Sequence, residues 1–147
     1  MKVPLMLASM FCLTACSGDS SDVASKVFPL QITRLAPATD PATGAVDVSV
    51  AVRNSDGYTL RSAVLTIAGY DAKGTRTGAD FPLQIDGPLS AKDNSGVVAR
   101  QGVWHDVQIS CIEVVSAKVT SMDYATDYAQ GLLARSIVAG HAQCHTP

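Results

Sequence analysis

Four valines at alternate positions constrain the fold of this chain more than any other feature. Val46, Val48, Val50 and Val52 alternate with residues that are mostly polar or small. In an extended strand successive side chains point to opposite faces, so this period of two puts the valines on one face and the intervening residues on the other. β-Branched residues also favour strands over helices. The segment therefore predicts a strand with one buried and one solvated face.

Segments of the same kind recur along the chain, and turn sequences separate them. Extended stretches are expected at residues 28–33, 60–70, 81–86, 97–104 and 107–121, with a loop at residues 37–44. Asp, Asn, Ser and Gly cluster in the turn sequences at residues 54–57 and 71–74. Pro82 cannot donate to a strand ladder, so its strand is expected at a sheet edge. Six or seven short strands with frequent turns predict an all-β fold, a small antiparallel β-sandwich.

One of these stretches breaks the alternation. Val107, Ile109 and Cys111 share a face, whereas Ile112 and Val114 share the other. A bulge near Ile112-Glu113 or a strand buried on both faces would produce this change of phase.

Two short motifs in the first half of the chain occur together in a known kind of module. Val50-Ala51-Val52-Arg53-Asn54 is followed, after a polar loop, by Gly69-Tyr70-Asp71-Ala72-Lys73-Gly74. The pair resembles the V-x-x-x-N and Y-D-x-x-G signature of FxLYD-like modules of bacterial envelope proteins, over roughly residues 28–122. The resemblance implies an immunoglobulin-like or fibronectin-III-like β-sandwich of about seven strands. Such modules are generally non-enzymatic, and the resemblance implies no catalytic residue.

The N-terminus has the features of an export signal. Lys2 supplies a positive start, residues 3–13 carry no charge, and a polar stretch follows from Ser17. The apolar run is shorter than the roughly 20 residues that span a bilayer. Leu13-Thr14-Ala15-Cys16 resembles the lipobox of bacterial lipoproteins at all four positions. That resemblance implies cleavage before Cys16, a diacylglyceryl group on its sulfur and acylation of its new amine. A plain secretory signal is the alternative.

These observations divide the chain into four parts. Residues 1–15 are expected to be the signal peptide, residues 16–27 a lipidated flexible tether, residues 28–125 the β-sandwich and residues 126–147 a C-terminal extension. Ten residues rich in Ser, Asp and Gly have an r.m.s. reach of roughly 17 Å, so the sandwich would lie close to its membrane. Ser17 stands where an Asp would mark inner-membrane retention, so by analogy with lipoproteins the periplasmic side of the outer membrane is favoured.

The charge distribution argues against nucleic acid as a partner. The formal net charge is −2, aromatic residues make up 5% of the chain, and Lys and Arg form no block. A nucleic-acid surface needs clustered cations to displace counterions and aromatic rings to stack bases.

The cysteines divide by position. Cys12 leaves with the signal and Cys16 carries the lipid, which leaves Cys111 and Cys144. In an exported, oxidising compartment two thiols most simply form one disulfide. Two free thiols or a metal site are the alternatives.

The C-terminal extension allows two interpretations. Asp127 and Gln130 have the spacing of a capping box, and a helical face would then combine Ala129, Leu132, Leu133, Ser136 and Ile137. A final strand through residues 133–139 is the competing interpretation. The sequence leaves open which of the two residues 128–139 adopt.

The densest run of candidate metal ligands is His141, Cys144 and His145, to which Cys111 could add a fourth. Its spacing matches no known metal module, and we expect no cofactor. His105 and Asp106 are adjacent, so on a strand they would point to opposite faces and could not act as an acid–base couple. A Cys–His nucleophile pair lacks an orienting partner in the sequence. Trp104 is expected in the sandwich core, with a surface anchor for a partner as the alternative.

The sequence therefore predicts a lipid-anchored envelope protein that is not an enzyme. Its sandwich would act as a binding or scaffolding module with an envelope protein as partner, through an exposed apolar patch or an open sheet edge. A metal-binding periplasmic module built on the C-terminal His/Cys run is the alternative.

Overall fold

Seven strands and one short helix make up the part of the chain that the computed structural model describes, residues 27–140 and Cys144. The strands are β1 (Leu30–Thr39), β2 (Ala45–Asn54), β3 (Leu60–Tyr70), β4 (Phe81–Leu89), β5 (Val98–His105), β6 (Cys111–Ser121) and β7 (Thr126–Gln130), and the helix is α1 (Gly131–Ser136). Within these residues no helix has the length and apolar character needed to cross a membrane.

The strands form two antiparallel sheets, one of three strands in the order β1-β2-β5 and one of four in the order β4-β3-β6-β7. The predicted all-β fold, a small antiparallel β-sandwich with a short C-terminal helix, is confirmed. In constant-type immunoglobulin domains the fourth strand lies in the sheet of the first, second and fifth. Here β4 pairs with β3 instead, so the sheet of the first strand has three strands and the other sheet has four.

The core lies between the inner faces of the two sheets. Val46, Val48, Val50 and Val52 of β2 are fully buried there, as their alternation predicts. They belong to one hydrophobic cluster that includes residues such as Leu65 of β3. The buried face of the sandwich therefore follows from the period of two in the sequence.

The first strand is longer than expected. β1 continues through Pro37, which pairs with Val48, to Thr39, although residues 37–44 were predicted to be a loop. β1 is an outer strand of its sheet, and a proline without an N–H is tolerated at such an edge. The loop is accordingly shorter and begins after Thr39.

β6 contains the bulge that the change of phase predicts, but at a different place. Ser116 pairs with Thr66 and Val114 with Ile67, so Val115 is the extra residue rather than a residue near Ile112. Ile112 and Val114 are buried, and so is Glu113 between them. The strand is thus also buried on both faces over this stretch. It begins at Cys111, later than the predicted residue 107.

The C-terminal extension is strand first and helix second. Asp127 and Gln130 lie in β7 rather than in a capping box, and no side chain caps α1. Pairing of β7 with β6 outweighs the local helix signal, and Gly131, at a φ of +56°, ends the strand. The predicted helical face is wrong as well, since Leu132 is 76% exposed and the helix buries Ala134.

Residues after α1 return to the other sheet. The Ile32 N–H donates to the Ile137 carbonyl at 2.8 Å, and the Ala139 N–H donates to the Ile32 carbonyl at 2.9 Å. These bonds form a short parallel bridge between Ile32 and Val138 on the outer side of β1. We call residues 131–140 and Cys144 the C-terminal clasp, because they connect β7 in one sheet with β1 in the other.

Candidate functional site

The predicted disulfide between Cys111 and Cys144 is present, with their Cα atoms 5.5 Å apart. It fixes the C-terminal clasp to the first residue of β6. Cys16, the predicted lipidation site, lies outside the described residues.

The same disulfide removes Cys144 as a metal ligand from the C-terminal His/Cys run. The Cys144 sulfur is joined to Cys111, so neither sulfur offers the thiolate that a metal site at this run would use. His141 and His145 lie outside the described residues. Among residues 27–140 and Cys144, no three His, Cys, Asp or Glu side chains are grouped to hold a metal ion.

The three residues at the end of β5, Trp104, His105 and Asp106, differ in how deeply they are buried. Trp104 is 7% exposed, and its indole N–H donates to the Ala79 carbonyl at 2.7 Å, so it packs in the core as expected. His105 and Asp106 are both exposed. Asp106 follows the strand at a φ of +57°.

Glu113 is a buried acidic residue that the sequence analysis did not identify as a site. Its side chain is 3% exposed and accepts a hydrogen bond from the Cys144 N–H at 3.0 Å. Arg135 Nε lies 3.8 Å from its other carboxylate oxygen. Tyr70 hydrogen-bonds to it, and the pKa of Tyr70 is raised, first by burial and then by the negative charge of Glu113.

This group lies beside a cleft of about 470 Å³ on the outer face of the four-stranded sheet. Arg76 and Asp80, which form an ion pair with each other, also line the cleft. Because Glu113 binds the main chain of Cys144 and the side chain of Arg135, its contacts hold the C-terminal clasp against β6. We therefore assign the group a structural role.

Exposed apolar side chains form two groups on the described part of the molecule. The edge surface consists of Tyr128, Leu132 and Leu133, on β7 and α1. The end surface consists of Val27, Tyr58, Met122 and Tyr124, in loops at one end of the sandwich. Val97 is exposed separately, beside β2 just before β5 begins, and with it these groups include every large apolar side chain that is exposed among the described residues.

The edge surface combines apolar side chains with an open strand edge. β7 is the outer strand of its sheet, and within residues 27–140 and Cys144 no main-chain hydrogen bond is made on its outer side. Such an edge presents N–H and C=O groups that can pair with another strand. Tyr128 is 59% exposed, and the Lys118 ammonium lies 5.7 Å from the centre of its ring.

The other outer strands carry features that oppose pairing. β1 is bridged by the C-terminal clasp, and β4 contains Pro82 and Pro88. The pairing of β5 with β2 is irregular around Gly102, whose φ is +60°. Prolines, bulges and covering segments are the devices that natural sheets use at their edges. Among the described residues, β7 has no proline, bulge or covering segment, and it is short.

Two residues of the end surface, Tyr58 and Met122, line a cleft of about 790 Å³ between the β2–β3 loop and the β6–β7 turn. The Arg61 guanidinium lies 4.5 Å from the centre of the Tyr124 ring, a cation–π contact. The Tyr58 hydroxyl lies 3.5 Å from an Asp127 carboxylate oxygen. Hydrogen bonds from the Ser121 hydroxyl and then from the Ala125 N–H lower the pKa of Asp123.

Comparison with known proteins adds no family: no protein-family model, no curated protein and no solved structure matches the chain.

Proposed function

We propose that this protein is a membrane-anchored envelope lipoprotein whose β-sandwich is a non-enzymatic binding module for another envelope protein. The observation that carries the proposal is the edge surface, where an open strand and exposed apolar side chains lie together. A partner segment that pairs with β7 would gain main-chain hydrogen bonds, and Tyr128 and Leu132 would bury apolar area against it.

The anchor is the second part of the proposal. Its support is the resemblance of Leu13-Thr14-Ala15-Cys16 to a lipobox, together with the export signal in front of it. Two or more acyl chains on Cys16 make attachment stable, whereas a single chain exchanges. The periplasmic side of the outer membrane is the proposed location.

Mass spectrometry tests the anchor directly. The expected N-terminal peptide begins at Cys16 and carries a diacylglyceryl group and an amide-linked acyl chain. Cys16→Ala is expected to abolish fatty-acid labelling and to remove the protein from the membrane fraction. A mature chain with an unmodified Cys16 would contradict the proposal.

Site-specific crosslinking tests the edge surface. A photoreactive residue in place of Tyr128 or Leu132 is expected to give one recurrent adduct with an envelope protein in intact cells. The same residue in place of Ala99, which is exposed on β5 in the other sheet, is the matched control and should not give it.

Charge substitution then tests the apolar contact. Leu132→Asp with Leu133→Asp is expected to remove the Tyr128 adduct, because a charge resists burial in an interface. Ala99→Asp should leave it unchanged. Adducts of equal yield at Tyr128 and Ala99, or adducts that differ between repeats, would contradict a dedicated binding surface.

A further inference from the structure

The two ends of the sandwich differ sharply in apolar exposure. One end consists of residues 27–29, 55–59, 90–93 and 122–125, and it contains all four members of the end surface. The other consists of residues 40–44, 71–80 and 106–110, and it contains none of the large exposed apolar side chains found among the described residues. Strand pairing places the loops in this way: Leu30 pairs with Asn54, and Leu60 pairs with Leu89 and Ser121.

We infer that the end surface docks on the lipid bilayer in which the Cys16 acyl chains are embedded. The inference rests on the proposed lipid anchor and adds to it an orientation for the whole domain.

The chain enters the sandwich at the end surface. Val27, 77% exposed, lies on that surface, and ten residues separate it from Cys16. The sequence predicts a flexible tether for these ten residues, and a flexible chain of that length reaches about 17 Å. Strands of ten or eleven residues, such as β2 and β3, are about 35 Å long. The tether therefore keeps the anchored end near the bilayer surface, whereas the opposite end lies about one strand length farther from the attachment point.

The side chains of the end surface suit the boundary of a bilayer. Tyr58 and Tyr124 each combine an apolar ring with a polar hydroxyl, the combination that is enriched where a membrane meets water. Met122 and Val27 add apolar side chains that water surrounds in the unbound molecule. Burial of such side chains at the boundary between headgroups and acyl chains is what holds peripheral surfaces on membranes.

The charges at this end do not favour anionic lipid. Arg61 and Lys92 are exposed there, where they can contact lipid phosphates. Three carboxylates outnumber these two cations: Asp56 accepts from the Gly57 N–H, Asp93 from the Asn94 N–H, and Asp123 from the Ala125 N–H. Because cations are not in excess, apolar burial rather than attraction to anionic lipid drives docking. We expect docking on zwitterionic phosphatidylcholine that added salt does not reverse.

Depth-dependent quenching tests the docking. The full lipidated chain with Tyr124→Trp is placed in phosphatidylcholine vesicles whose acyl chains carry bromine. The new indole is expected to lose about half of its emission, since interfacial side chains lie about 5–10 Å into the boundary region. Ala42→Trp, at the exposed opposite end, is the matched control and should lose none. The native Trp104 is buried and supplies a constant background.

Removal of the apolar side chains tests their role. With Tyr58→Trp as reporter, Met122→Ser and Tyr124→Ser together are expected to abolish the quenching. Leu132→Ser with Leu133→Ser, an exposed apolar pair on α1, should leave it unchanged. Circular dichroism and the thermal midpoint of each variant show that the fold is retained.

A second way of attaching the protein separates this inference from the anchor. Residues 16–147 with Cys16→Ser and an N-terminal hexahistidine tag are held on the brominated vesicles by nickel-chelating lipid. Quenching of Tyr124→Trp there supports docking whether or not Cys16 is acylated in cells. An unquenched Tyr124→Trp on attached protein overturns the inference, as does quenching that occurs only with anionic lipid. An unmodified Cys16 overturns the anchor alone.

Discussion

Tyr70 connects the stability of this protein to alkaline pH. Its hydroxyl hydrogen-bonds to the buried Glu113, and its pKa is raised above the ordinary value of 10.0, first by burial and then by that carboxylate. A raised pKa means that the folded state favours the protonated phenol. The resulting contribution to stability is complete below the unfolded-state pKa and is lost as the pH rises through the folded-state pKa.

We therefore expect the free energy of unfolding to fall as the pH rises above about 10, the ordinary tyrosine pKa, and to fall less steeply in Tyr70→Phe. Urea denaturation across this range measures both slopes. The difference between the two proteins isolates Tyr70, because the other titrating groups are common to both. Parallel slopes would show that Tyr70 ionises equally well in the folded and unfolded states.

Gly87 is a residue whose missing side chain allows close packing. A Cβ atom at this position would lie 2.3 Å from the Arg61 carbonyl oxygen, which belongs to the main chain of β3 and cannot rotate away. Gly87→Ala is expected to destabilise the protein by about 1–3 kcal/mol, the usual range for overpacking. Chemical denaturation of the purified variant measures the loss.

Gly57→Ala is the matched control, since nothing lies within 4 Å of its added Cβ. We expect its stability to equal that of the wild type or to exceed it slightly. Equal stability of the two variants would contradict the close approach of β4 to β3.

Individual residues differ in how well the sequence predicted their environment. Val46 to Val52 could be placed because a period of two is a local signal. Glu113 could not, because its partners Tyr70, Arg135 and Cys144 are brought together only by the fold. In the sequence, Glu113 is a single acidic residue inside an apolar run, and this run indicates only an irregular strand. That it is the chain's single glutamate was the available signal.

At the scale of the element, the turns could be predicted from the sequence, whereas the structure of the C-terminal extension could not. Asp71 accepts hydrogen bonds from the Lys73 and Thr75 N–H groups, a local interaction that the sequence contains in full. The helix signal at Asp127 and Gln130 is local too, but pairing of β7 with β6 overrides it. Strand pairing is a long-range interaction, so a short segment of sequence does not show whether pairing will be stronger than its helix signal.

The disulfide holds the C-terminal clasp to β6, and its removal should cost stability. The sequence separation between Cys111 and Cys144 is 33 residues. For a loop of this length, loss of the crosslink is expected to lower the free energy of unfolding by about 3–4 kcal/mol. Urea denaturation of Cys111→Ser with Cys144→Ser measures the change.

Wild-type protein unfolded in the presence of a reductant is the control, and it should behave as the double variant does. A double variant as stable as the oxidised wild type would show that the contacts of Glu113 hold the clasp without the crosslink.

At the scale of the whole molecule, the clasp also protects a sheet edge. It bonds to Ile32 on the outer side of β1, where an uncovered strand would present main-chain groups to other molecules. Deletion of residues 137–147 in a Cys111→Ser background is therefore expected to cause concentration-dependent self-association. Analytical ultracentrifugation over a dilution series detects it.

Full-length protein with Cys111→Ser and Cys144→Ser is the matched control, because it lacks the crosslink and keeps the clasp. We expect it to stay monomeric at concentrations where the deletion variant associates. Identical sedimentation of the two variants would mean that the clasp is not needed to prevent self-association through β1.

The bridge between Ile32 and Val138 has a kinetic consequence. It joins parts of the chain about a hundred residues apart, whereas β1 and β2, or β6 and β7, are neighbours in sequence. Contacts between neighbours form early, and contacts of large sequence separation slow the folding of β proteins. The first strand must therefore wait for the last part of the chain. During that delay, the main-chain groups on the outer edge of β1 are uncovered, and they can pair with strands of other folding molecules.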